Sequence, residues 1–299
     1  MEALVSVVIP VYGKPDHIDR ALKSVLNQTY ENIEAIVVDD NGVKSPEHDL
    51  VAACMEKYKL DKRIKYVCHE VNKNGSAARN TGVLNASGDF IALLDDDDEF
   101  YKEKIQRQIE PLLLDSSLAM TYCGCELFRH GEKVGEEAAL KLDNPLYDIL
   151  IHRRNIQTST ILMRKSIFLK MNGFDESFRR HQDWEFVARI VADYKVKELS
   201  FMGCRRNLEF RNSSSNVAVL EKYREHYLKK MQPYIERLPL KAQKEIILNN
   251  KMAVVVQYLK SKDILGYLSA LRRSGAGIYG IRFTAKSIYR TIRKGGYVK

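Results

Sequence analysis

The chain has 299 residues, of which 45% are hydrophobic and 29% are charged, and its formal net charge is +9. This composition excludes an intrinsically disordered protein and fits a soluble globular chain with one large domain and an appendage. The longest apolar candidate, near Met252–Val256, is far shorter than the roughly 18 residues that span a bilayer.

The amino-terminal segment and the cysteines indicate a cytoplasmic protein. Met1–Ala3 is acidic rather than basic, and the apolar run that follows ends at Pro10, so no signal peptide is predicted. The five cysteines are odd in number and show no CxxC spacing, which favours reduced thiols over a disulfide or zinc framework. We therefore expect a cytoplasmic location.

Apolar runs and helical periods alternate through the first hundred residues. Leu4–Ile9 and Ile33–Val38 predict buried strands. A helix between them, capped by Asp16, is predicted from apolar residues at helical spacing: Ile18, Ala21, Leu22, Val25 and Leu26. The alternation continues with a helix at 50–58, a strand at 63–67, a helix at 77–85 and a strand at 90–94. This pattern predicts an α/β fold with a mostly parallel sheet covered by helices on both faces.

The later elements are less regular. They comprise a helix at 103–114, strands at 118–128 and 158–163, and a helix at 184–192. We expect residues 1–220 to form the α/β domain and residues 221–299 to form a helical extension. The extension is strongly basic, with 18 Lys and Arg against 5 Asp and Glu, whereas the first 220 residues have a net charge of −4.

The carboxyl-terminal part of this extension predicts a basic amphipathic helix. Its apolar stripe is Ile281, Ala285, Ile288 and Ile292, and its cationic stripe is Arg282, Lys286, Arg290 and Arg293. Two interpretations stay open: the apolar stripe packs on the α/β domain, or the helix lies on an anionic membrane surface. We favour the second. No nucleic-acid-binding module accompanies the charge, so a nucleic-acid partner is not expected.

An acidic run follows one of the predicted strands. Phe90–Leu94 delivers Asp95, Asp96, Asp97 and Asp98 to its carboxyl end, where open α/β sheets bind their ligands. Four adjacent carboxylates require a cation to remain ionised together, and hard oxygen ligands suit Mg²⁺ or Mn²⁺. The alternatives are a solvated acidic turn for the run and, for Asp98, the start of the next helix.

A second candidate site is the segment Asn74–Asn80. Gly75 permits close approach of the backbone, Ser76 is expected to cap the next helix, and Arg79 adds a cation near a phosphate-binding helix start. An ordinary turn and helix start is the alternative.

Together these residues resemble the family 2 glycosyltransferases, which use nucleotide sugars and have the GT-A fold. The resemblance covers about residues 4–215 and is carried, in order, by Ser6–Tyr12, Leu26–Tyr30, Ile36–Asp40, Ala78–Gly82, Ala86–Asp89, Leu94–Asp98, Asn172–Asp175 and Gln182–Glu185. It implies a GT-A catalytic domain with an inverting mechanism. The basic extension shows no comparable match.

The resemblance also implies residue roles. Pro10, Tyr12 and Asp39 would hold the nucleotide base, and Asp39 would accept from the N3–H of uracil. Arg79 would contact the donor. The acidic run corresponds to the DxD motif of the family. Asp95 would face the ribose or the metal, and Asp96 would be the variable residue of this motif on the donor side.

Asp97 would hold a divalent cation, Mn²⁺ or Mg²⁺, against the diphosphate. Asp183 would be the catalytic base, with its pKa raised by burial beside Trp184 and by the charge of Glu185. Many relatives carry a metal-binding His after the base, but the matching segment here is Phe210–Ser213, which lacks it.

The expected function is transfer of a sugar from a nucleotide-diphosphate sugar, with a UDP-sugar favoured, to an acceptor hydroxyl. The acceptor is expected to be a lipid-linked glycan of surface polysaccharide synthesis, with the enzyme peripheral at the inner face of the cytoplasmic membrane. Two alternatives are a sugar nucleotidylyltransferase, which would need a Gly-rich triphosphate loop where Pro10–Lys14 stands, and an inactive scaffold of the same fold.

Overall fold

The computed structural model describes residues 3–13, 15, 17–153, 155–208, 216–277 and 280–284. These residues form two compact units. The first holds residues 3–145 and 155–208, and the second holds residues 146–153 together with the described residues from 216 onward. The sequence predicts a boundary at residue 220. It does not predict that Leu146–Arg153 belongs to the second unit, because the periodicity of a segment does not show which unit it packs with.

The amino-terminal half of the first unit is built from βα repeats. Its elements are β1 (Val5–Val11), α1 (Ile18–Leu26), β2 (Ile33–Asp39), α2 (Pro46–Met55), β3 (Ile64–Cys68), α3 (Gly75–Asn85) and β4 (Phe90–Leu93). β1 pairs in parallel with both β2 and β4, and β2 pairs in parallel with β3. Every residue of β2 and β4 is buried, as a sheet covered on both faces requires. The predicted α/β architecture is therefore confirmed.

The second half of this unit extends the sheet with strands of mixed direction. The elements that follow along the chain are β5 (Glu99–Phe100), α4 (Lys104–Leu114), β6 (Leu118–Arg129), β7 (Glu132–Glu137), α5 (Pro145–Leu150), β8 (Ile161–Arg164), α6 (Lys165–Lys170), α7 (Gln182–Asp193) and β9 (Lys195–Asn207). Of these, α5 belongs to the second unit apart from Pro145. The strand order is β3-β2-β1-β4-β8-β6-β9-β5, with β7 paired to β6. Because β8 lies between β4 and β6, distant segments of the chain meet beside the end of β4.

A glycine sets the distance between α3 and the sheet. A Cβ atom on Gly82 would lie 2.3 Å from Cγ1 of Val8, well inside van der Waals contact. The absence of a side chain therefore lets α3 pack directly against β1, with the start of the helix near the carboxyl end of the strand.

Several boundaries differ from prediction for physical reasons. α2 begins before residue 50, because Ser45 caps it by accepting a hydrogen bond from His48 N and Pro46 suits the first turn. α3 is capped by Asn74 rather than Ser76. Residues 158–160 form a short 3₁₀ helix instead of the start of a strand. The predicted cap Asp16 lies outside the described residues.

The second unit is helical where it is described. Its long helices are α8 (Val217–Ile235), α9 (Leu240–Lys260) and α10 (Ile264–Ser274). A small core of Val217, Met252, Val255, Tyr258 and Ala270 joins them. Among the described residues of the whole chain, no helix combines the length and apolarity needed to cross a membrane.

Lys104, at the start of α4, is a buried cation that we expect to lower the free energy of unfolding. Its Nζ lies 4.0 Å from the centroid of the Phe100 ring and has no hydrogen-bond partner among the described residues. Burial lowers the pKa of this ammonium group, because the charged form is poorly solvated. We expect Lys104→Met to raise the free energy of unfolding at neutral pH by about 1–3 kcal/mol.

The pH dependence of that gain follows from the sign of the shift. The unfolded chain binds a proton at Lys104 more tightly than the folded chain, so the penalty is complete below the folded-state pKa and vanishes above the unfolded-state pKa. Urea unfolding at neutral and alkaline pH should therefore show a gain that shrinks as pH rises. Lys102→Met, at an exposed neighbouring position, is the control, and an equal effect there would refute the assignment.

Candidate active site

The acidic run forms a tight turn directly after β4. Leu94 N donates to the carbonyl oxygen of Val8, and Asp98 N donates back to the carbonyl oxygen of Asp95. The turn brings three side chains together: Asp95, Asp97 and Asp98 each offer a carboxylate oxygen, all within 4.8 Å of one another. The run is thus a cluster at the carboxyl end of the sheet rather than a fully solvated loop.

Asp98 is buried and tied to two other parts of the chain. Its carboxylate accepts from the Ser159 hydroxyl at 2.6 Å and from Asn207 N at 3.1 Å, and Arg206 Nε lies 3.7 Å away. Asp98 is therefore not the first residue of a helix, as its position in sequence indicated, because β5 intervenes before α4. Its role in the structure is to anchor the acidic turn.

Two of these partners, Ser159 and Asn207, also hold the rest of the turn. Ser159 Oγ accepts from Asp95 N at 3.1 Å, and Asn207 Nδ2 donates to the carbonyl oxygen of Asp97 at 2.6 Å. Contact of Ser159, Arg206 and Asn207 with residues 95–98 was not predicted, since no local pattern around these three residues indicates it.

A cavity of about 260 Å³ opens above this turn. Six of the sequence-predicted residues line it: Pro10, Tyr12, Arg79, Asp95, Asp96 and Asp97. Gly75 and Gln182 complete the lining together with Val11, Asp40 and Ala78. The structure thus gathers all but one of the predicted donor and metal residues around a single cavity, and Tyr12 is 71% exposed beside it.

Arg79 links the acidic turn to the segment that carries Asp183. Its Nη2 donates to Asp95 Oδ1 at 2.6 Å, and its Nη1 donates to Gln182 Oε1 at 3.0 Å. Gln182 begins α7, and Asp183 is the next residue. One guanidinium group therefore spans the predicted metal site and the start of the helix that carries the predicted base. Gln182 is part of the segment Gln182–Glu185 that carries the family resemblance, so its place near the site could have been predicted from the sequence.

Asp183 lies in the first turn of α7. Burial raises the pKa of its carboxyl group, and the negative charge of Asp95 adds to this effect. Glu185, which was predicted to supply the like charge, instead forms an ion pair with Arg189 at 2.5 Å and is neutralised there. A raised pKa makes Asp183 a better proton acceptor for a sugar hydroxyl than an ordinary exposed aspartate.

Asp39, predicted to contact the base, lies beside the cavity lining rather than in it. It is fully buried, and Oδ1 accepts from both Asn41 N and Asn41 Nδ2, while Oδ2 pairs with His48 Nδ1 at 2.8 Å and accepts from the Tyr66 hydroxyl at 2.7 Å. Its acceptor positions are thus already occupied by protein groups. A base N–H could reach this carboxylate only if one of those partners moved.

Asp40, the next residue, organises the approach to α3. Its carboxylate accepts from Lys73 N at 2.8 Å and from Asn74 N at 2.9 Å, and it pairs with His69 Nδ1. These bonds fix the turn before α3 and so place Gly75 at the cavity. This is the turn role that its position after β2 indicates.

The electrostatics of the acidic turn suit a divalent cation. Burial and the neighbouring carboxylates raise the pKa of Asp96 to about 8, and burial together with Asp95 raises the pKa of Asp97 to about 6. Both shifts mean that ionisation is opposed in this turn, and a bound cation would favour the ionised carboxylates by relieving the repulsion between them. The donors are carboxylate oxygens, the ligands preferred by Mg²⁺ and Mn²⁺. The segment Phe210–Ser213, where the metal-binding His of relatives is missing, lies outside the described residues.

The anchoring role of Arg206 gives a stability prediction. Arg206→Met leaves Asp98 buried without its cation, which should lower the free energy of unfolding by about 3–5 kcal/mol. Asp98→Asn in the same chain should recover part of that loss, because the uncompensated charge is gone. Urea unfolding of the single and double variants measures both effects. The control is Arg205→Met, at a more exposed neighbour, and an equally large loss there would contradict the anchor.

Comparison with known proteins identifies the family of the chain. The model of the family described as "Glycosyl transferase family 2" matches residues 6–160. An uncharacterised glycosyltransferase of Rickettsia typhi is 29% identical, with 98% of this chain and 92% of that protein covered. The Escherichia coli enzyme WfgD, a UDP-Glc:alpha-D-GlcNAc-diphosphoundecaprenol beta-1,3-glucosyltransferase, is 28% identical, with 71% of this chain and 80% of WfgD covered.

Solved structures show the same fold at low identity. TarS of S. aureus in complex with UDP-GlcNAc has a TM-score of 0.60 at 17% identity, covering 99% of this chain and 93% of that one. The mannosyltransferase PcManGT of Pyrobaculum calidifontis, in complex with GDP-Man and Mn²⁺, has a TM-score of 0.62 at 15% identity, covering 98% and 81%. The family match spans more than half of the chain and contains the acidic turn. The protein is a member of glycosyl transferase family 2 and has the GT-A fold.

Proposed function

We propose that this glycosyltransferase transfers a sugar from a UDP-sugar to a hydroxyl of a lipid-linked glycan, with inversion at the anomeric carbon. The observation that carries the proposal is the Arg79 bridge between Asp95 and Gln182. With this bridge, a donor-binding cavity, a carboxylate cluster and the start of the helix bearing Asp183 would lie within reach of one substrate. A nucleotide sugar needs these three features together.

The donor is proposed to lie in the 260 Å³ cavity, with its base near Pro10 and Tyr12 and its diphosphate near the acidic turn. Arg79 supplies a cation on the diphosphate side. A UDP-sugar is favoured because WfgD acts on UDP-Glc and TarS binds UDP-GlcNAc, whereas PcManGT binds GDP-Man. Asp39 remains the proposed partner of the base, through exchange of one of its present hydrogen bonds.

A divalent cation is proposed at the acidic turn. Asp95 and Asp97 would hold it, since the carboxylate of Asp98 is engaged by Ser159 and Asn207. When bound, such a cation neutralises charge that develops on the departing diphosphate. Mn²⁺ in PcManGT supports this assignment, and Mg²⁺ is the alternative ion.

The chain's own residues perform the proton transfer. Asp183 accepts the proton of the acceptor hydroxyl while that oxygen forms its bond to the anomeric carbon. The bond from the anomeric carbon to the diphosphate oxygen breaks at the same time, and the nucleoside diphosphate leaves on the opposite face. One displacement inverts the configuration. Arg79 and Gln182 orient the two sides of the cavity, so that donor and base keep their alignment.

The acceptor and the location are proposed from one relative. WfgD acts on a diphosphoundecaprenol-linked sugar, which is a membrane lipid. We therefore propose a lipid-linked glycan acceptor of surface polysaccharide synthesis and a peripheral position at the inner face of the cytoplasmic membrane. The sugar nucleotidylyltransferase alternative finds no support in the family match, and an inactive scaffold would be the outcome if no nucleotide bound.

A thermal-shift screen tests the proposal. Purified protein is heated with UDP, GDP, CDP, dTDP and their common sugars, each with Mn²⁺, Mg²⁺ or a chelator, because a bound ligand raises the melting temperature by mass action. We expect a shift with UDP or a UDP-sugar that disappears on chelation. A shift with GDP alone would overturn the UDP assignment, and no shift with any nucleotide would support the scaffold.

A further inference from the structure

α10 exposes large apolar side chains that the other described residues of its unit do not cover. Ile264, Leu265 and Leu268 are 54%, 82% and 54% exposed. The opposite side of the helix is packed, since Tyr267, Ala270 and Leu271 join the core shared with α9. The helix is therefore held in place by one apolar side while a second apolar surface faces outward. We call Ile264, Leu265 and Leu268 the α10 patch.

Cations surround this patch. Lys260 and Lys262 are exposed in the turn that precedes it, and Arg272 is exposed one helical turn beyond Leu268. The only acidic residue of that turn is Asp263, whose Oδ1 accepts from Gly266 N at 2.8 Å and so caps the helix. The sequence from Ile264 to the end of the chain contains no further carboxylate side chain. The local surface is thus apolar and positive.

We propose that the α10 patch docks on the surface of an anionic membrane. Ile264, Leu265 and Leu268 would enter the boundary between headgroups and acyl chains, and Lys260, Lys262 and Arg272 would contact lipid phosphates. The long stems of the cations allow their charges to stay at headgroup level while the leucines insert. The proposal rests on the lipid-linked acceptor of the proposed function, which requires the enzyme to work beside a bilayer.

Charge decides between a membrane and a second copy of the chain. In a two-fold symmetric dimer the same patch would face itself, so the cations of one copy would oppose those of the other. An anionic lipid surface instead offers complementary charge across the whole patch. Each cation near such a surface contributes about 1 kcal/mol, roughly a fivefold gain in binding.

The test is cosedimentation of the full chain with vesicles of phosphatidylcholine alone or mixed with phosphatidylglycerol. We expect binding to the mixed vesicles only, weakening as salt screens the charges. Leu265→Gln/Leu268→Gln should lower this binding by about tenfold, because two apolar groups are lost from the inserted surface. Lys262→Gln/Arg272→Gln should lower it by about 25-fold, because each lost cation removes about a fivefold contribution.

Matched controls are available in the chain. Leu113 and Leu114 of α4 are 54% and 81% exposed, almost the same as Leu268 and Leu265, so Leu113→Gln/Leu114→Gln should leave binding unchanged. Lys241→Gln/Lys244→Gln, at exposed positions of α9, controls for net charge. The UDP-induced melting shift should be the same in all four variants, which separates membrane docking from donor binding.

Three results would overturn the proposal. One is no binding of the unaltered chain to the mixed vesicles. Another is equal losses in the α10 and α4 leucine variants, which would indicate a general effect of apolar exposure. The third is a dimer in size-exclusion chromatography with light scattering that dissociates in Leu265→Gln/Leu268→Gln, which would make the patch a contact between copies.

Discussion

Replacement of Asp183 by asparagine is expected to lower the rate of sugar transfer by about 10²- to 10⁴-fold. Asparagine has nearly the same shape as aspartate but cannot take the proton of the attacking hydroxyl. Removal of a charge close to Asp95 should leave donor affinity unchanged or slightly higher, because repulsion across the cavity falls. The measurement is single-turnover transfer from the donor identified by thermal shift, with the donor dissociation constant determined in parallel.

The control for Asp183→Asn is an exposed carboxylate at the opposite end of the same helix. Asp193 ends α7, eleven residues after its start, and Asp193→Asn should retain full activity. A rate for Asp183→Asn within threefold of the unaltered chain, at unchanged donor affinity, would remove Asp183 from the role of base. Loss of donor binding in that variant would instead assign it to the donor site.

Asp97→Asn is expected to have opposite effects with and without a divalent cation. Without the cation, loss of one negative charge from the buried cluster should raise the melting temperature, because burial and Asp95 now oppose ionisation of Asp97. With Mn²⁺ present, the variant should lose the cation-dependent stabilisation by UDP. We expect donor affinity to fall by roughly 100-fold, which corresponds to about 2.7 kcal/mol.

Thermal-shift titrations with Mn²⁺, with UDP and with both ligands distinguish these effects. The control is Asp89→Asn, at an exposed position before β4 and so at the opposite end of the strand from the acidic turn. It should behave as the unaltered chain in every titration. If Asp97→Asn retained a full shift with Mn²⁺ and UDP, the cation would have to be placed elsewhere or omitted from the mechanism.

The donor half of the site was predictable because the strands that carry it are recognisable from short stretches of sequence. β1, β2 and β4 are continuous apolar runs, and the residues that follow them lie at the same edge of a parallel sheet. Periodicity therefore predicts a shared sheet edge, whereas the placement of Tyr12 and Asp95 in one site comes from the family resemblance. The family resemblance added the roles of these residues, which periodicity does not contain.

The remaining part was not predictable from local pattern. The partners of Asp98 come from residues 159, 206 and 207, and no feature of those segments reveals which strand lies beside β4. The contacts of Asp39 with His48 and Tyr66 were not predictable either, since they depend on how α2 and β3 pack. A group of carboxylates at the sheet edge was therefore predictable from the sequence, but the contacts that hold each carboxylate were not.

The order of strands in the sheet has a consequence for how the protein folds. Neighbouring βα repeats form the first four strands, so their contacts close short loops, whereas the bond from Asn207 N to Asp98 joins residues 109 positions apart. Such non-local contacts are slow to form, because chain entropy must be lost before they stabilise anything. During synthesis the acidic turn also leaves the ribosome well before β9. We expect the four aspartates to stay solvated until late in folding, so that the nucleotide cavity acquires its final shape in the last steps.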